Sequence, residues 1–222
     1  AACTLNLPAD CHIPFYPKEA ASLMKAALNK TADLDISFLG GVLHSGIGVF
    51  SGNPRTPKEE DIICGVWAEV AEYAQKLGIT IGIEPINRYE SYVCTSAAET
   101  LRMIERTKAP NLALHLDTFH MNIEEDNFCN PVIAAGDRLK HIHMTESNRG
   151  MLGEGNVHWD DLFRGLASID FKGNLVLENF TSQVEGMASA VSLWRPSRYK
   201  AAELATGSLK FMKVKAAEFG LI

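Results

Sequence analysis

The sequence predicts an α/β fold, a TIM (β/α)8 barrel from which the first two strand–helix units are missing. Short apolar runs alternate with helical patterns along the 222 residues, as they do in barrels of parallel strands. Four of the runs close on Glu84, Asp117, His143 and Glu178, which are 33, 26 and 35 residues apart. Each interval accommodates one strand, one helix and their loops. Only six such units can be counted, whereas a closed barrel has eight, so we expect an N-terminal β-α-β-α segment to be absent.

The strands are predicted from continuous runs of β-branched residues and leucine, because parallel strands are buried on both faces. They lie at residues 2–5, 36–43, 79–84, 112–117, 139–144 and 174–178. Each of the last four carries a polar residue at its last or last-but-one position, which marks the point where the strand leaves the core. An open sheet of six such strands would leave two edges exposed.

The helices are predicted from apolar residues at helical spacing between the strands. They lie at residues 18–33, 57–77, 96–108, 130–137, 158–168 and 198–219. The second is the best defined, because Pro57 follows Thr56 in its first turn and Leu77-Gly78 marks its end. We expect all elements to form one N-terminally incomplete barrel domain over residues 1–222.

Composition and charge exclude several classes of function. The net charge of −6 argues against a nucleic-acid partner, which would require clustered Lys and Arg. No apolar run is long enough to span a membrane, and the first residues lack a basic segment followed by an apolar one. The five cysteines form no CxxC pair, which is typical of reduced thiols. We therefore expect a cytoplasmic protein that binds a small, neutral or weakly charged substrate.

The residues that close the last four strands form a candidate metal site. Glu84, Asp117, His143 and Glu178 would emerge at the same end of consecutive parallel strands, where barrel enzymes place their active sites. Three carboxylates and one imidazole favour Mn²⁺, with Co²⁺ or Mg²⁺ as alternatives, over a thiolate-bound structural zinc ion. Four protein ligands leave two positions of a six-coordinate ion for substrate oxygens. The alternative is that the two glutamates pair with arginines, Arg88 or Arg149, while His143 is a core histidine.

A second group of polar residues follows the strand ends into the loops. Such loops can present hydrogen-bonding groups to a polyhydroxy ligand, although exposed loop residues are often polar without any function. The candidates for substrate binding are His44, Glu90, His120 and Arg149. The other histidines considered, His12, His115 and His158, are interpreted as structural.

Several stretches together resemble one known family. They are GGVLHS (40–45), EPINRYE (84–90), LDTFHMNIEED (116–126), HIHMTESNRG (141–150), LENF (177–180) and LWR (193–195). They resemble the ketose 3-epimerases of the xylose-isomerase-like barrel superfamily, the group of D-tagatose 3-epimerase and D-allulose (D-psicose) 3-epimerase. LDTFHMNIEE together with HxHxxESNR is the most specific part. The resemblance covers nearly the whole chain but not the first two strand–helix units of the family.

The resemblance implies a role for each matching residue. Metal ligation is implied for Glu84, Asp117, His143 and Glu178. Glu84 and Glu178 would also be the acid and base, while Glu90, His120 and Arg149 would contact the sugar. The chain departs from the family at two places. It has Asn179 where proline is usual and Gly150 where a second basic residue is usual, which puts loop shape and sugar preference in doubt.

The implied reaction is epimerisation of a free ketose at C3, of the D-fructose/D-allulose or D-tagatose/D-sorbose type. One glutamate would remove the C3 proton and the other would return a proton to the opposite face of a planar cis-enediolate. The metal ion would stabilise the enediolate. A homodimer or homotetramer is expected.

Other functions remain open. A sugar-phosphate 3-epimerase, an aldose–ketose isomerase or an inosose dehydratase could use a similar ligand set. A phosphate would require backbone N–H groups or additional basic residues, and the obvious loop arginines are Arg88, Arg149 and Arg195. Metal-dependent DNA-repair endonucleases share the barrel, but the acidity of the chain argues against that class. An inactive sugar-binding fragment is a further alternative.

Overall fold

A parallel sheet of six strands forms the centre of the computed structural model, which describes residues 1–180 and 184–222. The strands are β1 (Cys3–Thr4), β2 (Phe38–Gly41), β3 (Thr80–Ile83), β4 (Leu112–Asp117), β5 (Leu139–Met144) and β6 (Asn174–Leu177). Each pairs in parallel with the next, so the order in the sheet is the order in the chain. All six predicted strands are present. The chain between His143 and Glu178 spans the end of β5, one helix and β6, as expected from the spacing of these two residues.

The sheet is curled into part of a barrel. Phe38 on β2 stacks on His141 on β5, with ring centroids 5.1 Å apart. In a flat sheet, strands three positions apart would be separated by roughly 14 Å, so the intervening strands must curve around a shared interior. The chain contains six of the strand units of a TIM barrel, in agreement with the predicted fold class.

Helices follow the strands along the chain. They are α1 (Pro17–Asp33), α2 (Pro57–Lys76), α3 (Ala97–Thr107), α4 (Thr118–Glu124), α5 (Cys129–Ala135), α6 (Trp159–Ser168), α7 (Met187–Ala190) and α8 (Ala201–Glu218). Two short 3-10 helices lie at Ala9–Cys11 and Gly136–Arg138. The six predicted helices are present. Helix α2 begins with a capping box, in which the Thr56 hydroxyl accepts from the Glu59 N–H and the Glu59 carboxylate accepts from the Thr56 N–H.

Helices α4 and α7 were not predicted from the sequence. Helix α4 follows β4 directly, with no loop to mark its start. It begins there because the Asp117 carboxylate accepts a 2.8 Å hydrogen bond from the Phe119 N–H and caps the helix. Strand β6 is only partly buried because it forms one edge of the sheet, in agreement with the exposed edges expected of an open six-stranded sheet.

Two hydrophobic clusters cover the outer face of the sheet. One surrounds Trp67 on α2, whose indole N–H donates a 2.7 Å hydrogen bond to the Leu43 carbonyl just after β2. The other surrounds Phe163 on α6 and reaches Met212 on α8. These clusters hold the helices against the strands, and they leave the carboxyl ends of β3 to β6 available for polar residues.

Among residues 1–180 and 184–222, no helix combines the length and apolarity required to cross a bilayer. All five cysteines are free thiols.

Candidate active site

The four predicted metal ligands converge at the carboxyl ends of β3, β4, β5 and β6. The Nδ1 atom of His143 lies 3.3 Å from Glu84 Oε1 and 3.2 Å from Glu178 Oε1. Asp117 offers an oxygen that lies within 4.8 Å of ligand atoms of His143 and Glu178, and one within 4.8 Å of Glu84. The register of the sheet explains this arrangement, because Asp117 is paired directly with His143. Residues up to 94 positions apart in the sequence therefore share one small volume.

The electrostatics of this volume fit a divalent cation. Burial, reinforced by the charges of Glu178 and Glu84, raises the pKa of Asp117 well above its ordinary value. Burial also raises the pKa of Glu84. The Oδ2 atom of Asp117 is buried and has no hydrogen-bond partner. Three carboxylates gathered around one buried point repel each other unless a positive charge lies between them, and their oxygens with one imidazole suit an ion such as Mn²⁺.

Two glutamates raise the pKa of the His143 imidazole. Burial alone would lower the pKa of its imidazole, but hydrogen bonds to Glu178 and Glu84 outweigh burial and raise that pKa to about 10. Burial would raise the pKa of Glu178, yet its contact with His143 and the charge of Arg149 hold it at about 2. The two glutamates differ because Glu84 is fully buried, whereas Glu178 is partly exposed and has two cationic neighbours.

Arg149 is held rigidly beside Glu178. Its Nη1 donates a 3.0 Å hydrogen bond to Glu178 Oε2, and its guanidinium group lies 4.0 Å from the centre of the Phe119 ring and 4.7 Å from that of Phe180. Asn179, which replaces the usual proline of the resembled family, donates 2.8 Å from Nδ2 to the Arg149 carbonyl. The pairing of Glu178 with Arg149 thus exists, but it does not replace the contact of Glu178 with His143.

Arg88 does not pair with Glu84 or Glu178, the two glutamates among the predicted metal ligands. It pairs instead with Glu124 on α4, with Nε and Nη2 each 2.9 Å from a carboxylate oxygen. This pair ties the loop after β3 to helix α4.

Glu90 and His120, both predicted to bind substrate, are linked through Asn87. The Asn87 side-chain amide lies 2.8 Å from His120 Nδ1 and donates 2.9 Å to Glu90 Oε1. The backbone N–H of Asn87 also donates to His120 Nδ1. Because Nδ1 accepts these hydrogen bonds, the neutral ring of His120 carries its proton on Nε2. The Nε2 atom lies 3.9 Å from Asp117 Oδ2. Asn87 was not singled out from the sequence, although it lies inside the EPINRYE stretch.

His44 is fully buried at the end of β2. Its Nε2–H donates a 3.0 Å hydrogen bond to the backbone carbonyl of Glu84, and burial lowers its pKa to about 3. A neutral His44 thus holds the end of β3 in place, and its contact with substrate stays a prediction.

Glu146 organises the loop after β5, and the sequence analysis did not identify it. Its carboxylate is fully buried. It accepts four hydrogen bonds, with donor–acceptor distances of 2.8 to 3.1 Å, from the backbone N–H groups of Ser147, Gly153 and Val157 and from the indole N–H of Trp159. The loop that carries Arg149 is therefore folded around this one side chain. Gly153, Gly155 and Trp159 follow the ESNR stretch (146–149) in the sequence. These residues could have indicated a loop folded around Glu146.

Two of the three histidines interpreted as structural form no contact with the candidate metal ligands. His12 lies 3.3 Å from the Tyr92 hydroxyl and accepts a 3.3 Å hydrogen bond from the Gly46 N–H, two residues after His44. His158 is exposed before α6. His115 is different, because its Nδ1 lies 3.6 Å from Glu84 Oε2 inside the curled sheet.

The family model described as xylose isomerase-like TIM barrel matches residues 6–213 of this sequence. The chain belongs to this family. Its sequence is similar to L-ribulose 3-epimerase from Methylomonas sp. (strain DH-1), with 35% identity over 202 residues that cover 90% of this chain and 70% of the relative. It is also similar to ketose 3-epimerase from Arthrobacter globiformis, with 33% identity over 184 residues that cover 82% of this chain and 63% of the relative.

Solved structures of xylose isomerase-like barrels have the same fold. The crystal structure of D-allulose 3-epimerase from Methylomonas sp. in complex with D-allulose aligns with a TM-score of 0.90 and 32% identity, covering 96% of this chain and 75% of that one. The chain thus spans between 63% and 75% of the lengths of these three relatives. The predicted family and barrel fold are confirmed, and the relatives are carbohydrate epimerases, the predicted class of isomerase.

Proposed function

We propose that this protein epimerises free ketoses at C3, of the D-fructose/D-allulose or D-tagatose/D-sorbose type. The observation that supports the proposal is the arrangement of Glu84 and Glu178, which approach the same atom, His143 Nδ1, from two different strands. Two carboxylates on either side of a bound sugar carbon are what inversion at that carbon requires, because one must take a proton and the other must give one. Similarity to named ketose 3-epimerases supports the same reaction.

Glu84, Asp117, His143 and Glu178 are the residues that would hold a divalent ion, for which Mn²⁺ is the proposed identity. Bound there, the ion would supply positive charge near the substrate oxygens. The protein residues have separate tasks. His143 would act as a neutral imidazole ligand, and Arg149 is the cationic partner of Glu178.

The acid and base steps are assigned to the two glutamates. In one direction, Glu84 removes the C3 proton while protonated Glu178 donates a proton to the opposite face, and the reverse direction exchanges the roles. A single proton shared between the two carboxylates satisfies both directions.

The proposed sugar contacts are Glu90, His120, Arg149 and His44. Asn87 holds Glu90 and His120 in fixed positions relative to each other, and the two phenylalanine rings fix the plane of the Arg149 guanidinium group. A free ketose is favoured over a ketose phosphate because Arg149 and Arg88 are already paired with carboxylates. The ability of the D-allulose-bound relative to bind a free ketose agrees with this choice.

The test replaces each glutamate by its isosteric amide. We expect Glu84→Gln and Glu178→Gln each to lower the turnover of D-fructose to D-allulose by about 100-fold or more, the usual contribution of a positioned acid or base. Exchange of the C3 hydrogen in D₂O, followed by NMR, gives a sharper readout. Each variant should still exchange the C3 hydrogen of the one epimer that faces the remaining glutamate, without converting it to the other epimer.

The matched control is Glu125→Gln, which changes a half-buried carboxylate that accepts from the Ala97 N–H outside the site. Its turnover should remain within about twofold of the starting value, as expected for a group that does not act on the substrate. Near-normal turnover in either single variant at the site would contradict the two-base scheme. Faster turnover of a ketose phosphate than of D-fructose would contradict the choice of substrate.

Three further features complete the proposal. These are a single barrel domain, a cytoplasmic location and a homodimer or homotetramer. Light scattering of the purified protein would test the oligomeric state.

A further inference from the structure

A second group of polar side chains lies directly beneath the candidate metal ligands. Residues at positions i and i+2 of a strand point to the same face, so His115 lies one layer below Asp117 on β4, and His141 lies one layer below His143 on β5. The parallel register pairs His115 with His141. We refer to His115, His141 and His143 as the histidine cluster, because their imidazoles face the same interior space.

The geometry of the histidine cluster is close to that of a metal site. The ring centroids are 4.2 Å apart for His115 and His143, 4.5 Å for His115 and His141, and 5.2 Å for His141 and His143. One nitrogen of each ring lies within 4.8 Å of the other two. In a tetrahedral site with Zn–N bonds of about 2.0 Å, the nitrogens are roughly 3.4 Å apart. Because the three nitrogens already lie within 4.8 Å of one another, a contraction of no more than about 1.4 Å would bring them into coordinating positions.

The histidine cluster also contains unsatisfied polar atoms. Both ring nitrogens of His115 and the Nδ1 of His141 have no hydrogen-bond partner, although the side chains are 0% and 2% exposed. A buried polar atom left without a partner is destabilising, and such groups in a folded protein require an explanation. The aromatic ring of Phe38 packs against both imidazoles and provides no conventional hydrogen-bonding group.

We propose that the histidine cluster is a second cation site that selects borderline ions such as Zn²⁺ or Ni²⁺. Three imidazole nitrogens suit these ions, whereas a set dominated by carboxylates suits Mn²⁺ or Mg²⁺. His143 belongs to both groups, so the two sites lie within one imidazole ring of each other. A Zn²⁺ ion in the histidine cluster therefore places a positive charge beside the candidate metal site and lowers the affinity of that site for Mn²⁺.

The test measures Zn²⁺ and Mn²⁺ affinity separately, by competition with a chromophoric chelator on the metal-stripped chain. We expect His115→Leu and His141→Leu each to lower the affinity for Zn²⁺ by about tenfold or more, while the affinity for Mn²⁺ changes by less than about twofold. A merely structural role of these histidines would lower both affinities together. That result, or an unchanged Zn²⁺ affinity, would overturn the proposal.

Two further variants make the test independent of folding and of turnover. His158→Ala removes an exposed histidine and should change neither affinity. The double variant Glu84→Gln/Glu178→Gln should lose Mn²⁺ binding but retain one equivalent of Zn²⁺, because the histidine cluster is intact. Loss of Zn²⁺ binding in a folded double variant would refute the second site. None of these measurements requires ketose turnover, so failure here leaves the proposed epimerase function unaffected.

Discussion

At the scale of single residues, the side chain of Glu146 organises the loop after β5 through four hydrogen bonds. Its two carboxylate oxygens each accept two hydrogen bonds, Oε1 from the N–H groups of Ser147 and Val157, and Oε2 from those of Gly153 and Trp159. A neutral amide cannot reproduce this pattern, since one of its two ends is a donor. The loop that presents Arg149 to Glu178 therefore depends on Glu146. Among the described residues, the Glu146 side chain forms no hydrogen bond with a candidate metal ligand.

We expect Glu146→Gln to lower the free energy of unfolding by about 3 kcal/mol, because two backbone or indole N–H groups would face an NH₂ group. Urea denaturation measures this change. Glu154→Gln, which alters an exposed glutamate of the same loop bonded to the Tyr199 hydroxyl, should change the free energy of unfolding by less than about 0.5 kcal/mol. Equal losses in the two variants would show that the burial of Glu146 has no special role.

At the scale of elements, the interior of the curled sheet is filled by large side chains opposite glycines. A Cβ atom added at Gly40 would lie 2.8 Å from both His115 Nδ1 and Phe38 Cε1. One added at Gly82 would overlap the Phe38 ring and lie 3.2 Å from His115 Cβ. Glycines on β2 and β3 thus create the space that Phe38 and His115 occupy, and this packing brings His115 beneath Glu84.

We expect Gly82→Ala to destabilise the protein by about 1–3 kcal/mol through overpacking. In a Phe38→Leu background, the same change should be at least about 1 kcal/mol less costly, because the overlapping ring is gone. A double-mutant cycle of urea denaturation curves measures this coupling.

The control for this cycle is Gly65→Ala on α2, where an added Cβ meets open space. It should stabilise the protein by up to about 1 kcal/mol through helix propensity. Additive effects of Gly82→Ala and Phe38→Leu would contradict the packing explanation.

At the scale of the whole molecule, three strands deliver acidic groups to one place, beside the histidine of a fourth strand, at a cost in stability. The pKa of Asp117 is raised well above its ordinary value by burial and by the charges of Glu178 and Glu84. Between the unfolded and the folded pKa, the native state binds more protons than the unfolded state, so the stability of the metal-free chain falls as the pH rises. A bound divalent ion removes this penalty, which links metal binding to the stability of the entire sheet.

We expect Mn²⁺ at about 100 times its dissociation constant to raise the free energy of unfolding by about 2.7 kcal/mol. Asp117→Asn should abolish most of this gain and should itself stabilise the chelator-treated chain at pH 7, but not near pH 4, where the native carboxyl is already protonated. Denaturation curves with Mn²⁺ and with chelator at both pH values measure these effects. Equal Mn²⁺ stabilisation of the original chain and of the variant would exclude Asp117 as a ligand.

Much of this architecture was predictable because it depends on local sequence. Six runs of β-branched residues and leucine form the six strands, and apolar residues at helical spacing form six of the eight α-helices of the described residues. The four residues that close β3 to β6 meet because parallel strands end at one edge. Helix α4 was missed because its start depends on the Asp117 carboxylate as a cap.

The sequence by itself determined the family, the strand and helix order, and the identity of the residues at the strand ends, because these follow from periodicity and from motifs of contiguous residues. Only the tertiary structure decided that these residues share one small buried volume, how Glu146 supports the Arg149 loop, and that His115 and His141 lie beneath the carboxylates. These features depend on the curl of the sheet, which brings side chains from distant segments within a few ångströms and removes them from water. Distance and burial set the interactions of charged and polar groups, and neither is encoded in any local pattern of residues.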